Sequence, residues 1–232
     1  MSLTTYLRGL GQLFFPALCL SCRRAVGGHD QLLCVACEAE FPPRTDLSLP
    51  ENEVTDRLAG RLPLTFGGAA YTFRDGTVCQ RLIHALKYHH RPDVGHALGH
   101  RFGHRLADVP ALADLTALVP VPIHRRRRHE RGYNQAEAIA RGLSEALGVP
   151  VRQHALRRVD FRGSQTRRGK LERLDNVRHS FKRSREAVAG GHVLLIDDVL
   201  TTGATLDFCG QVLLEARPDL RVSVATLALA ER

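Results

Sequence analysis

Two adjacent carboxylates, Asp197 and Asp198, close an apolar run and are followed by Thr-Thr-Gly-Ala-Thr, within the stretch "HVLLIDDVLTTGATL" (192–206). Like charges one residue apart repel unless a ligand or metal compensates them. The six residues 193–198 read as a buried strand, and in open parallel sheets ligands collect outside the carboxyl ends of strands. The turn then feeds a helix, whose first N–H groups and positive dipole end favour an anion. Gly203 lets the backbone approach that anion closely, and Thr201, Thr202 and Thr205 add hydroxyl donors around Ala204. The loop therefore suits a phosphate monoester and the carboxylates suit sugar hydroxyls; a ribose 5-phosphate carries both. A Walker B strand also ends in acidic residues, but it needs a P-loop. The nearest candidate, "GSQTRRGKL", has one residue too many and ends in leucine.

A second constellation is the pair of knuckles "CLSC" (Cys19, Cys22) and "CVAC" (Cys34, Cys37), eleven residues apart. Two thiolates two residues apart can turn onto one metal, and two such pairs close a tetrahedral zinc site with no open position for catalysis. Disulfides are not expected in a cytosolic chain. His29, between the knuckles, is expected to be a spare surface histidine. Cys79 and Cys209 are expected to be semi-buried thiols.

These groups must be positioned by a chain of 232 residues, enough for one main domain and a small appendage. No run of 18 apolar residues appears, and the N-terminus lacks the pattern of a signal peptide, so a cytoplasmic protein without membrane insertion is expected. The formal charge is +9 and unevenly spread. Residues 152–185 hold twelve Lys or Arg against three Asp or Glu, and Arg125 to Arg128 form a second cluster with Arg131. Such concentration points to an anionic partner, phosphate groups or a nucleic-acid backbone.

The organisation reads as an N-terminal segment and zinc module over 1–45, a proline-rich polar linker over 46–60 and the main domain over 61–232. "YLRGLGQLFF" would be a short amphipathic helix. Apolar spacing predicts helices in "GTVCQRLIHALKY", in "HALGHRFGHRLADV" despite two internal glycines, after an Asn134 cap up to Gly148, and in "ATLDFCGQVLLEA". Strands are expected in "PLTFGGAAYTF", "ALVPVPIH", "VPVRQHALRRV" and "RVSVATLAL". Alternation of the two predicts a parallel α/β sheet with helices on both faces.

The thirteen residues "VLLIDDVLTTGAT" resemble the phosphoribosyl-pyrophosphate (PRPP) motif of type I phosphoribosyltransferases at every position. Three further stretches, "LIHALKYHHRPDVGHALG", "VPVPIHRRRRHERGYNQAEAIA" and "SQTRRGKLERLDNVRHSF", with the four-cysteine module before them, resemble the ComF family of competence proteins. Arg168 stands where that family's pattern usually has leucine. The resemblance implies an α/β, type I phosphoribosyltransferase-like parallel sheet flanked by helices, with a small N-terminal zinc ribbon. It implies PRPP or a nucleotide as ligand, magnesium bound with PRPP, and zinc in the cysteine module.

It also implies roles. Residues 123–131 would form a loop facing pyrophosphate, with Arg131, Gly132, Tyr133, Asn134 and Gln135 opening a helix. Gln165, Arg173 and Asn176 would lie on a mobile loop that closes over the substrate. Displacement at the ribose C1 leaves negative charge on pyrophosphate, which Arg167, Arg168 and Lys170 would stabilise. Asp197 and Asp198 would hold the ribose hydroxyls. Lys87, Arg125, Arg128 and Arg131 are candidates for pyrophosphate or DNA contact, Lys87 being equally readable as a helix-end surface lysine. His84, His89 and His90 show no metal spacing.

Two functions follow. One is a binding module for DNA uptake in natural transformation, with single-stranded DNA on the basic surface and a helicase-like uptake motor as partner. The alternative is a PRPP-dependent nucleobase or amine phosphoribosyltransferase in nucleotide salvage, without a DNA role. With no tryptophan, base stacking would rest on Tyr88, Tyr133, Phe161 or Phe181. Glutamine-dependent amidotransfer is not expected, since no nucleophilic cysteine opens the chain.

Overall fold

A computed structural model of the chain describes residues 16–28, 31–159, 181–183 and 191–231. The expected N-terminal helix, His29, Phe161 and the basic-loop candidates Gln165, Arg167, Arg168, Lys170, Arg173 and Asn176 lie outside them.

Four parallel strands make the sheet: β1 (Phe66–Phe73), β2 (Leu115–Pro120), β5 (His192–Leu200) and β6 (Arg221–Ala230), in the order β1-β6-β5-β2. A single parallel bridge, Leu118 with Val151, extends the β2 edge. Two short strands, β3 (Leu156–Arg158) and β4 (Phe181–Arg183), pair antiparallel as a separate ribbon. "VPVRQHALRRV", expected as one strand, is thus divided: Val151 bridges to the sheet and 156–158 leaves for the ribbon.

The helices are α1 (Val35–Ala39), α2 (Glu53–Leu58), α3 (Val78–Tyr88), α4 (Pro92–Ala107), α5 (Arg125–Arg131), α6 (Gln135–Leu147) and α7 (Ala204–Ala216). The strand residues alternate between two cores, as a period of two requires. Leu194 and Ile196 face the core shared with α3, α4 and α6, where Leu82, Leu86, Leu98, Phe102, Ile139 and Leu143 are buried. Val193 and Leu195 face the other core with α2 and α7, around Leu58, Leu206, Cys209 and Leu213. Helices on both faces of a parallel sheet are the expected architecture.

A glycine that weakens α4 as an isolated helix, and one in α6, have a packing reason. A Cβ on Gly99 would stand 2.3 Å from the Ile139 carbonyl oxygen, and one on Gly142 would stand 2.0 Å from that of His96. Two helices approach backbone to backbone there, which only glycine permits. Intrinsic propensity is given up for close contact between α4 and α6.

The stretch expected as a linker, 46–60, is built into the fold. Asn52 caps α2 through the Val54 and Thr55 amides, and the Thr55 hydroxyl closes a reciprocal capping box. Leu47, Val54, Arg57 and Leu58 are buried. The cysteine module is not a detached appendage either: Cys19, Leu32, Leu33, Cys37 and Phe41 join the core of α3 and α4, and Phe41 stacks on Tyr71 at 3.8 Å. Arg81 Nε donates to Ser21 Oγ at 2.8 Å and Arg101 pairs with Glu38 at 2.7 Å, tying the module to the body. No helix among the described residues is long and apolar enough to cross a membrane.

Candidate phosphoribosyl site and metal centre

The chain leaves β2 for α6 on one face of the sheet and leaves β5 for α7 on the other. The gap between β2 and β5 is therefore the point where the winding reverses, and a crevice opens there at the carboxyl ends of the strands. Asp197 and Asp198 sit at this place. Pairing with β2 stops at Ile196, whose carbonyl accepts from Val121 N at 2.9 Å, while pairing with β6 continues to Leu200. The strand expected to end at Asp198 thus runs two residues further. The carboxylates lie inside a strand that is free on one side.

Adjacent residues of a strand project to opposite faces. Asp198 reaches towards α3, where its Oδ2 is 3.2 Å from Lys87 Nζ. Asp197 lies on the α7 side: its charge adds to burial in holding the buried Cys209 thiol well above the usual range. The two carboxylates therefore form a staggered pair. Asp197 Oδ1 accepts the Asp198 amide at 2.9 Å. Burial, then the charge of Asp198, pushes the Asp197 carboxyl up to about 7, against the pull of that amide, Lys87 and Arg158. A bound cation would reverse this, since it favours the ionised form.

Beyond Leu200 the chain turns through exposed Thr201 and Thr202 into Gly203, which caps α7 at φ +80°. A Cβ there would meet Leu58 Cδ2 at 2.7 Å. Conformation and packing both demand glycine, and the turn remains open to solvent at its two threonines. Ala204 N approaches Thr202 Oγ1 at 3.5 Å.

The opposite wall comes from the segment after β2. Expected as a loop, its arginine run is a short helix, α5, that His124 begins and Gly132 ends at φ +76°. Asn134 is buried and caps α6 as expected, while its Nδ2 donates to the Val121 carbonyl at 3.0 Å. The Tyr133 hydroxyl donates to the Leu86 carbonyl, which joins this wall to the end of α3 next to Lys87. Arg128 pairs with the buried Glu137 at 3.1 Å. Arg131 holds Gln135 Oε1 at 3.0 Å and lies 5.5 Å from the Tyr88 ring centre. Arg125 and Arg127 are exposed, with no partner among the described residues.

So the structure brings Lys87, Asp197, Asp198, the loop 201–205 and the segment 123–135 together at one end of the sheet. Lys87 is resolved as an ion-pair partner, not a free surface lysine. His84, His89 and His90 are exposed, as expected. Cys79 and Cys209 are fully buried, not semi-buried. Sequence reading missed Arg57 and Arg61 on the far side of the loop. The signal for Arg57 was a helical turn in "NEVTDRL", with Asn52 as cap and Val54 and Leu58 four apart; Arg61 lies just beyond it.

In the N-terminal module the four Sγ atoms of Cys19, Cys22, Cys34 and Cys37 all lie within 4.8 Å of one another, and Cys22 and Cys34 are 3.6 Å apart. A tetrahedron with bonds of about 2.3 Å has edges of roughly 3.8 Å, so the donor set fits zinc. Burial opposes ionisation of Cys19, but amides of Cys22, Cys34 and Ser21 outweigh it and bring the thiol down to about 6. Arg23, at φ +65°, turns the first knuckle back on itself, and its amide donates to the Cys19 carbonyl. Cys34 caps α1, which carries Cys37.

Residues 129–232 match the family model described as the phosphoribosyl transferase domain. Together with the parallel sheet and the site at its winding reversal, this defines a phosphoribosyltransferase-type domain carrying a four-cysteine module. Competence protein ComFC of Bacillus subtilis is 29% identical over 213 residues, covering 90% of this chain and 83% of that protein. Competence protein F of Haemophilus influenzae is 33% identical over 42% of this chain and 43% of its own length. The DNA utilization protein YhgH of Escherichia coli K12 is 32% identical over 57% of this chain and 60% of its own. The matches therefore span most of ComFC but less than two thirds of the other two. The chain is thus similar, over most of its length, to a competence protein of the ComF type.

Proposed function

We propose that this protein binds PRPP or a nucleotide at Asp197, Asp198 and the loop 201–205, and that it acts in DNA uptake during natural transformation. The observation that carries the first half is the position of the motif: an acidic strand end and an anion-ready turn at the winding reversal of a parallel sheet. Amides and hydroxyls of Thr201, Thr202, Gly203, Ala204 and Thr205 would take the 5-phosphate, and the carboxylates the ribose hydroxyls. Magnesium would accompany the pyrophosphate and draw Asp197 into its ionised form. Lys87, which pairs with Asp198, would move to the pyrophosphate, with Arg125, Arg128 and Arg131 as further contacts. Arg167, Arg168 and Lys170 would complete the anion contacts during transfer.

The second half is supported by the names of the relatives and by the uneven positive charge. Single-stranded DNA is the partner that such charge suits, and a helicase-like motor is the partner the family suggests. Zinc in the cysteine module would serve the fold.

Calorimetric titration of the full chain with PRPP and Mg²⁺ tests the site. Binding is expected in the wild type and its loss in the Asp197→Ala, Asp198→Ala double variant, with the fold intact by circular dichroism; unchanged affinity in the double variant would falsify the assignment. Pyrophosphate release across nucleobase and amine acceptors separates a salvage enzyme from a binding module.

A further inference from the structure

Helix α2 and the turn after it lie before the residues that match the phosphoribosyl transferase domain, yet between them Arg57, Leu58 and Arg61 touch every residue from Leu200 to Gly203. Arg57 is buried. Its Nη1 donates to the carbonyls of Thr201 at 2.9 Å and Leu200 at 3.4 Å, and its Nη2 donates to that of Ala230 at 2.5 Å. One guanidinium thus stitches the ends of β5 and β6 to the start of the loop. Four residues on, Arg61 Nη2 donates to the Thr202 carbonyl at 2.9 Å. Between them, Leu58 fills the space that a side chain on Gly203 would need.

None of the described peptide bonds is cis. In a trans peptide the C=O of one residue and the N–H of the next point in opposite directions. Pulling the Thr201 carbonyl towards Arg57 turns the Thr202 amide the other way, and pulling the Thr202 carbonyl towards Arg61 does the same to the Gly203 amide. Neither amide has a protein acceptor among the described residues. We infer that Arg57 and Arg61 are positioning residues: from behind the loop they aim the Thr202 and Gly203 amides at the phosphate. The inference rests on the phosphate-site reading above and adds the device that sets the loop. Preorganised donors cost no rearrangement when the anion arrives, and two guanidiniums behind the loop add a favourable field.

A cavity of about 470 Å³ opens behind the loop, lined by Arg57, Arg61, Thr201, Thr202, Ala230 and Glu231. It gives solvent a route to the Arg57 guanidinium, so small cations can reach the place that a shortened side chain would vacate.

The test uses the full chain with Arg61→Ala, Arg57→Lys and Arg57→Ala. It reads the affinity for ribose 5-phosphate, the affinity for magnesium pyrophosphate, and the amide chemical shifts of Thr202 and Gly203. Ribose 5-phosphate affinity is expected to fall about threefold in Arg61→Ala and about tenfold in Arg57→Lys, from lost charge-assisted hydrogen bonds. Pyrophosphate affinity should stay within a factor of two, and both amide resonances should shift. Millimolar guanidinium should restore part of the loss in Arg57→Ala. If Arg57 variants do not fold, Arg61→Ala decides, because Arg61 is exposed. Equal losses for both ligands, or unmoved Thr202 and Gly203 amides, would overturn the inference. A wild type that ignores ribose 5-phosphate would overturn the site reading instead, and the amide shifts alone would then judge the positioning role.

Discussion

The cysteine module and the carboxylate site both crowd like ligands together, and they resolve the conflict in opposite ways. The module is local: its four thiols come from 19 residues of chain, and a metal would satisfy all four at once. The carboxylate site is assembled from segments over a hundred residues apart, with Lys87 on one wall and Arg57 behind. Its conflict is only partly relieved, since Asp198 has Lys87 while Asp197 is held near its neutral form by burial and by Asp198. A closed site adds stability to the fold; an open one holds strain that a ligand can release.

The sharpest way to break this comparison is to remove the metal. Zinc in such a site contributes apparent binding energy of about 10–16 kcal/mol at neutral pH. Cys37→Ser, or strong chelation, is expected to lower the melting temperature by about 10 °C or more. The loss should reach beyond the module, because Leu33 and Phe41 share the core of α3 and α4. Mass spectrometry should find one zinc per chain; a metal-free protein that melts at the same temperature would end the assignment.

Asp197→Asn is the opposite case. A carboxyl whose folded pKa is raised takes up a proton on folding. Its cost is therefore absent below about pH 4, grows as pH rises, and is complete above about 7. The variant should be more stable than wild type at pH 8, by on the order of 2 kcal/mol after allowance for solvent relaxation, and equal to it at pH 4. Urea titrations at the two pH values measure this. A gain of the same size at both would place the effect outside ionisation.

Lys87→Met should act in the other direction, since Lys87 is the cation that favours ionised Asp197 and pairs with Asp198. A loss of about 1 kcal/mol at pH 7 is expected, shrinking towards pH 4 as Asp197 takes up its proton. The smallest effect belongs to Arg125→Ser with Arg127→Ser. Both residues are exposed, so stability should change by less than about 0.5 kcal/mol. If single-stranded DNA lies on this helix, the salt slope of its binding should still fall by about 1.4, at about 0.7 per phosphate contact. An unchanged slope would send the DNA elsewhere on the molecule.

What could be read without the structure was whatever chemistry is written in short spacing. Two CxxC pairs bring thiols together by local turns alone. An apolar run, two acids and a threonine-glycine turn describe a strand end and a helix start within thirteen residues. Alternating strand and helix patterns were enough for a parallel sheet covered on both faces, and the Asn134 cap and Gly148 stop were found as expected.

Tertiary structure alone decided the rest. The segment 46–60 has too little apolar periodicity to declare itself, and it becomes α2 only because β1 and the loop after β5 offer it a surface. Gly99 and Gly142 look like helix breakers until two helices need to touch. Which way each carboxylate points depends on how far β5 remains paired to β6 after β2 has left, a matter of register between strands distant in the chain. Local patterns specify a residue's chemistry and its conformational preference. Which charge meets which, and from which side, is set by contacts whose closure entropy only the whole fold can offset.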